Sequence, residues 1–566
     1  MHEGGVKTWK RKLLRVAAVG ALLFVAILIS CLEGVDYRPY FREPYYVETV
    51  ARLKDRSATN ALQRGELAAG FGRALLTPTL NAAVDDPTQG RFRALPLAGF
   101  GNRKGRPATG VHDDLYVKAV ALRVGARLGI MVGVDALIIP TEVTALVAAR
   151  LKQESGLERA QIYLSATHTH CSLGGWGEGI VAERFSGGYQ AGVRDWMADR
   201  MVIAVRAAIA DLKPASFGHG SFPAPEFVKN RLVGALGNVD TEFSFALLKQ
   251  RDGRLAVLGS YAAHATVLSG SVMEFSADYP GCWARAVEEV TGGTAVFLAG
   301  AVGSHGPVPS EQGFKGAEKM GQALAQKLVA QIPSVTMTES VNFGLLGLEV
   351  DLPSLNTRVA DGIRLRPWLA AKLLPVSRGS YLQIFRLNDS LWISTPCDFS
   401  GELGLGIKAS LRDRGFSTAS DNVGEFVYQR PIGRALFDRG DKITGFQTAL
   451  RNTVADQTVG TSNSCDVHFG FCKKVRADDV EVRSFVECSA VEDGCFAGGR
   501  SDDNVFVSGD FIRGVAWHNF GRAVFRHLCG KRFAACSIAA INLDPRDLAN
   551  RANRLELRCR LQPGTE

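Results

Sequence analysis

The chain has 566 residues, 46% of them hydrophobic and 22% charged, which is the composition of a globular protein. Its formal net charge of +9 gathers toward the two ends, and no basic stripe with interleaved aromatics runs through it, so nucleic-acid binding has no footing. Of eleven cysteines, seven fall at or beyond Cys465, leaving the body only Cys171, Cys282 and Cys397 and no disulfide framework.

In chain order, a basic lead (Lys7, Lys10, Arg11, Lys12, Arg15) precedes the uncharged run Val16–Leu32. Residues 1–32 are therefore expected to be a membrane anchor near the short limit for spanning a bilayer, with the basic side cytoplasmic. The body is then extracytoplasmic, periplasmic or at the cell surface. Leu28-Ile29-Ser30-Cys31 also matches a lipobox, so a lipoprotein or a secreted form is the alternative. Residues 33–62 are polar and aromatic and read as a stalk leading into a first helix.

Residues 63–420 read as one domain. A short strand ends at Thr77-Pro78, and Val-, Ala- and Leu-rich buried strands follow through "LYVKAVALRVGARLGIMVGVDALII". "PTEVTALVAARLKQESG" has helical spacing between a proline and a glycine. "AQIYLSATHTH" reads as a strand and "RDWMADRMVIAVRAAIADLKP" as a helix. The alternation predicts an α/β fold: a mixed α+β sheet enzyme domain, with the N-terminal anchor in front and an irregular tail, 421–566, behind.

Chemistry-bearing residues fall where apolar strands end. His168 and His170 stand two apart, which on a strand places both on one face, and Gly174-Gly175 beyond them let backbone approach a ligand. Zinc suits such a pair; two half-exposed strand histidines would also account for it. A metallo-β-lactamase pattern is excluded, because Cys171-Ser172 follow instead of the rest of HxHxDH. His264 closes a second apolar run, Ser304, His305 and Gly306 a third, and Asp398 a fourth. Mouths of buried strands are where α/β folds place catalysis.

The succession "GVHDDLYVKAVAL", "LSATHTH", "NRLVG…VDTEF", "SYAAHATVLSG" and "PCDFSGELG" resembles the catalytic domain of the neutral/alkaline (non-lysosomal) ceramidases over about residues 63 to 410. The resemblance implies a zinc amidohydrolase that cleaves the amide of ceramide or a related N-acyl lipid. It makes His168 and His264 zinc ligands, His170 a catalytic neighbour and Arg231 an arginine near the substrate. His112 and Gly306 are expected at the substrate.

Two departures stand out. Asp398 takes the place of the family's glutamate ligand and is one methylene shorter. Gly306 takes the place of the family's serine, with Ser304 two positions away as the nearest catalytic hydroxyl. A zinc-activated water could still attack the amide, with His170 passing a proton and Arg231 steadying the oxyanion. The alternative is an inactive, lipid-binding relic of the family. The cysteine-rich tail is either an accessory domain or the product of a reading-frame slip, since codons for Leu450–Val454 read one base later can encode Tyr-Glu-Thr-Arg, a stretch expected of the family.

Overall fold

The computed structural model describes residues 3–35, 39–353, 357–360, 362–373 and 379–426, and beyond them the strands 469–475, 480–486, 505–506 and 556–557. The chain divides into units Met1–Ser462 and Asn463–Glu566. In the second unit the described strands form two antiparallel pairs, Phe469–Val475 with Val480–Val486 and Val505–Phe506 with Glu556–Leu557. The rest of the tail, Leu450–Val454 included, lies outside the described residues.

Twelve strands make the main sheet of the first unit. They are β1 (Gln63–Leu75), β2 (Tyr116–Val124), β3 (Arg127–Val134), β4 (Ile162–Ala166), β5 (Lys213–Pro223) and β6 (Glu242–Gln250). They continue with β7 (Leu255–Tyr261), β8 (Thr294–Ala299), β9 (Ser340–Asp351), β10 (Gly379–Leu387), β11 (Ser390–Thr395) and β12 (Thr418–Val423). The hydrogen-bonded order is β8-β7-β6-β5-β1-β9-β10-β11-β12, with β2, β3 and β4 branching from β1. The helices are α1 (Glu3–Cys31), α2 (Pro44–Thr59), α3 (Thr141–Ser155), α4 (Ile180–Ser186), α5 (Ala191–Ala210), α6 (Asp278–Thr291), α7 (Gly313–Gln331), α8 (Pro367–Leu373) and α9 (Gly401–Arg412). The mixed α/β architecture is the one expected.

Both faces of the sheet are covered, which is why its strands read as near-continuous apolar runs. Along β2, Val120, Leu122 and Val124 join one core cluster with Met131, Tyr163 and Trp392. The alternate residues Val117, Ala119 and Ala121 join another with Met201 and Ala204 of α5. The helix lies directly on β1, where a Cβ on Gly72 would come within 2.2 Å of the Ala204 carbonyl.

Three parallel pairs, each joined by a helix, place the functional loops. Strands β3 and β4 pair in parallel across α3, β7 and β8 across α6, and β11 and β12 across α9. α3 follows Pro140 and stops at Gly156, whose φ of +68° costs glycine nothing. At the carboxyl ends Asn422 of β12, fully buried, ties the pairs together. Its Oδ1 accepts from Tyr163 Oη of β4 at 2.6 Å, and its Nδ2 donates to Ser260 Oγ of β7 at 2.9 Å.

Within the segment read as a stalk, α2 packs its buried Leu53 among Leu346, Leu348 and Ile384. Residues 3–31 of the segment expected to be an anchor form the helix α1. Among the described residues no helix is long and apolar enough to cross a membrane.

Candidate active site

Strand β4 ends at Ala166, so the two histidines of the opening motif sit in the following loop rather than on the strand. Alternation therefore does not bring them together. His168 does so by taking a φ of +62°, a left-handed conformation rare outside glycine and found where the surrounding structure imposes it at functional sites. His264 follows the carboxyl end of β7, and Asp398 follows that of β11.

These loops converge. One ring nitrogen from each of His168, His170 and His264 lies within 4.8 Å of the other two, and all three residues are buried. His170 Nε2 is 2.9 Å from His264 Nε2, and His168 Nε2 is 2.9 Å from Asp398 Oδ1. The rings are turned by backbone. His168 Nδ1 donates to the Leu137 carbonyl at 2.6 Å, and His264 Nδ1 to the Val302 carbonyl at 3.2 Å. A carbonyl only accepts, so each Nδ1 carries the proton, and in the neutral ring the Nε2 lone pair points into the cluster. His170 differs, since its Nδ1 is buried without a hydrogen-bond partner.

Burial, reinforced by the neighbouring imidazoles, holds the His170 and His264 rings well below the ordinary histidine value. Burial would raise the Asp398 carboxyl, but His168, His264 and Arg231 together outweigh it and hold the carboxylate well below its usual range. Imidazole nitrogens beside an ionised carboxylate are the donor set a divalent zinc ion takes. Backbone carbonyls on the far ring nitrogens are the usual outer support for histidine ligands. Ligand atoms about 2.1 Å from one ion stand roughly 3.4 Å apart, so the cluster would need only small adjustments.

Other expected residues surround this group in different ways. The Arg231 Nε and Nη2 both donate to the Gly303 carbonyl, at 3.1 and 2.9 Å, and the guanidinium charge bears on His170, His264 and Asp398. Ser304 is buried, and its Oγ accepts from the Gly401 amide at 3.0 Å and lies 3.2 Å from Ser400 Oγ. Its neighbour His305 accepts the Asp240 amide on Nε2 at 3.0 Å, so in the neutral ring the proton is on Nδ1, which faces Ser304 Oγ at 3.4 Å as a donor and cannot take the serine proton. Gly306 pairs with Lys229, and a side chain there would point toward Arg231, whose Cβ lies 3.3 Å from the built Cβ. His112 stacks on Phe314 with centroids 3.5 Å apart, and no described contact joins it to the histidine cluster.

Arg103 escaped the sequence reading. It is 1% exposed and lies under the histidine loop, donating to the carbonyls of Ala98 and Val272 at 2.9 Å, to the His170 carbonyl, and to Cys171 Sγ at 3.3 Å. Burial lowers its pKa, partly offset by Cys171. Phe100 packs on the His170 ring at 4.7 Å. The first arginine of "GNRKGRP" carries no local sign of burial.

A sheet covered on both faces, with an imidazole and carboxylate cluster at the carboxyl ends of its strands, makes this a mixed α/β domain with a candidate site at the strand mouths. Residues 82–302 match the family model described as neutral/alkaline non-lysosomal ceramidase, N-terminal. In fold the chain is similar to the neutral ceramidase from Pseudomonas aeruginosa, with a TM-score of 0.56 and 19% identity over 71% of this chain and 76% of that one. A ceramidase solved in complex with C2 is similar too, with a TM-score of 0.55 and 18% identity over 71% and 77% of the two chains. Among curated proteins none matches the sequence.

Proposed function

We propose that this chain is a zinc-dependent amidohydrolase acting on the amide of ceramide or a closely related N-acyl lipid. The observation that carries this reading is the pair of backbone-fixed imidazoles, His168 and His264, in one buried cluster with His170, with Asp398 Oδ1 2.9 Å from His168 Nε2. These three residues would hold the metal. A bound zinc supplies Lewis-acid polarisation of a carbonyl and makes a water acidic enough to act near neutral pH.

The chain's own groups do the rest. His170, neutral because of burial, is positioned to take a proton and to return it to the departing amine nitrogen. Arg231 stands beside the cluster with a charge that would steady a developing oxyanion. Ser304, its hydroxyl engaged by Gly401 and Ser400, acts as a support for the loop.

The test is hydrolysis of a fluorescent ceramide by the purified chain, with zinc content measured in parallel. Turnover that disappears with a chelator and returns with zinc supports the reading. A chain that binds no zinc, or turnover indifferent to the chelator, sinks it.

A further inference from the structure

The apolar half of α1 has no protein cover. Val16, Leu22, Phe24 and Ile29 are each more than 60% exposed. The helix is nonetheless fixed to the body at its carboxyl end. Leu32–Gly34 pair antiparallel with Ile363–Leu365, which pair in turn with Arg358–Ala360. Arg366 Nε donates to the carbonyls of Ile29 and Leu32 at 3.1 and 3.3 Å, Trp368 Nε1 to that of Ser30 at 3.3 Å, and Arg364 pairs with Glu33 at 2.7 Å.

The body around this junction also presents apolar side chains outward. Val359 and Ile363 of the small sheet and Trp368 and Leu373 of α8 are all exposed. Isolated exposed hydrophobics are ordinary, but a patch continuous with an uncovered apolar helix marks a contact surface. Because its N–H is occupied by Ser30, the Trp368 indole turns carbon outward.

We propose that the small sheet and α8 form a lipid-docking surface that seats the body on an anionic bilayer beside the apolar end of α1. Charge selects the occupant. The small sheet and α8 carry Arg358, Arg364, Arg366 and Lys372 against Glu33, which pairs with Arg364, and Asp361. A second copy across a two-fold axis would set that basic flank against itself, whereas anionic headgroups complement it. An interfacial tryptophan beside basic residues suits the headgroup level. Docking is separable from the hydrolase reading, because vesicles free of substrate measure it.

The full chain is tested against phosphatidylcholine vesicles with and without phosphatidylglycerol. The expected result is stronger partition onto the anionic vesicles, weakened by salt. Trp368→Ser and Leu373→Ser should each lower partition roughly tenfold, with an unchanged unfolding midpoint. In a Trp9→Phe background, which removes the exposed tryptophan of α1, bromine-labelled lipid should quench fluorescence, and adding Trp368→Phe should remove that quenching while keeping partition. Wild-type partition in both serine variants, quenching that survives Trp368→Phe in that background, or a vesicle-free dimer dissolved by Leu373→Ser would each overturn the proposal.

Discussion

Gly99 lies against the His170 ring, and replacing it separates the roles assigned to the histidines. Its φ is +108°, and a Cβ built there falls 2.6 Å from His170 Cγ and Nδ1. To restore contact at 3.4 Å the ring must retreat by about 0.8 Å. A misplacement of that order costs a reaction about 10²-fold. The backbone strain adds ~1–3 kcal/mol of lost stability. His264 and Asp398 stand on other connections, and His168, though on the same loop, is held by its own bond to the Leu137 carbonyl, so all three stay in place. Gly99→Ala should therefore keep its zinc, measured by mass spectrometry, and lose roughly two orders of magnitude in single-turnover hydrolysis of a fluorescent ceramide in micelles. Gly156→Ala is the control, because it shares a positive φ but its Cβ meets nothing within 4 Å. It should lose stability in urea and keep turnover. Wild-type turnover in Gly99→Ala, or zinc lost from it, would refute the division of labour between His170 and the three ligands.

His168→Ala should fail to retain zinc on dialysis, while His170→Ala should retain it and lose turnover by about 10²–10⁴-fold. Gly306→Ser, which sets a hydroxyl toward Arg231, should change the rate by less than about tenfold; a rescue by orders of magnitude would make a serine nucleophile essential. Burial raises the Asp278 carboxyl to about 7, so folding favours its protonated form. Its contribution is full below the unfolded value near 3.8 and is lost as pH rises through 7. At ~1.4 kcal/mol per unit the bound is about 4 kcal/mol. Urea unfolding should show Asp278→Asn gaining stability relative to wild type between pH 5 and pH 8.

The sequence displayed the strand ends well, because a run such as "VLGSYAAH" changes from apolar to polar where a buried strand leaves the sheet. His264 and Asp398 were legible for that reason, as was α3 between its proline and glycine. The conformation of His168 was not legible, since a left-handed histidine is set by tertiary contacts and leaves no mark in spacing. Nor were the Leu137 and Val302 carbonyls, because a backbone acceptor has no residue type to read. Arg103 shares that fate, its partners being mostly carbonyls.

Asn422 bears on the order in which the molecule can be completed. The donors of the cluster lie between positions 168 and 398, and the strand that braces their roots ends only at Val423. Contacts closing loops of that span form late and slowly, because chain entropy opposes them until the whole sheet is in place. During synthesis the first two-thirds of the polypeptide therefore emerge with their histidines on unbraced loops. A nascent chain halted before Thr418 lacks the brace, and metal retention, followed against chain length, becomes a clock for the closing of the sheet.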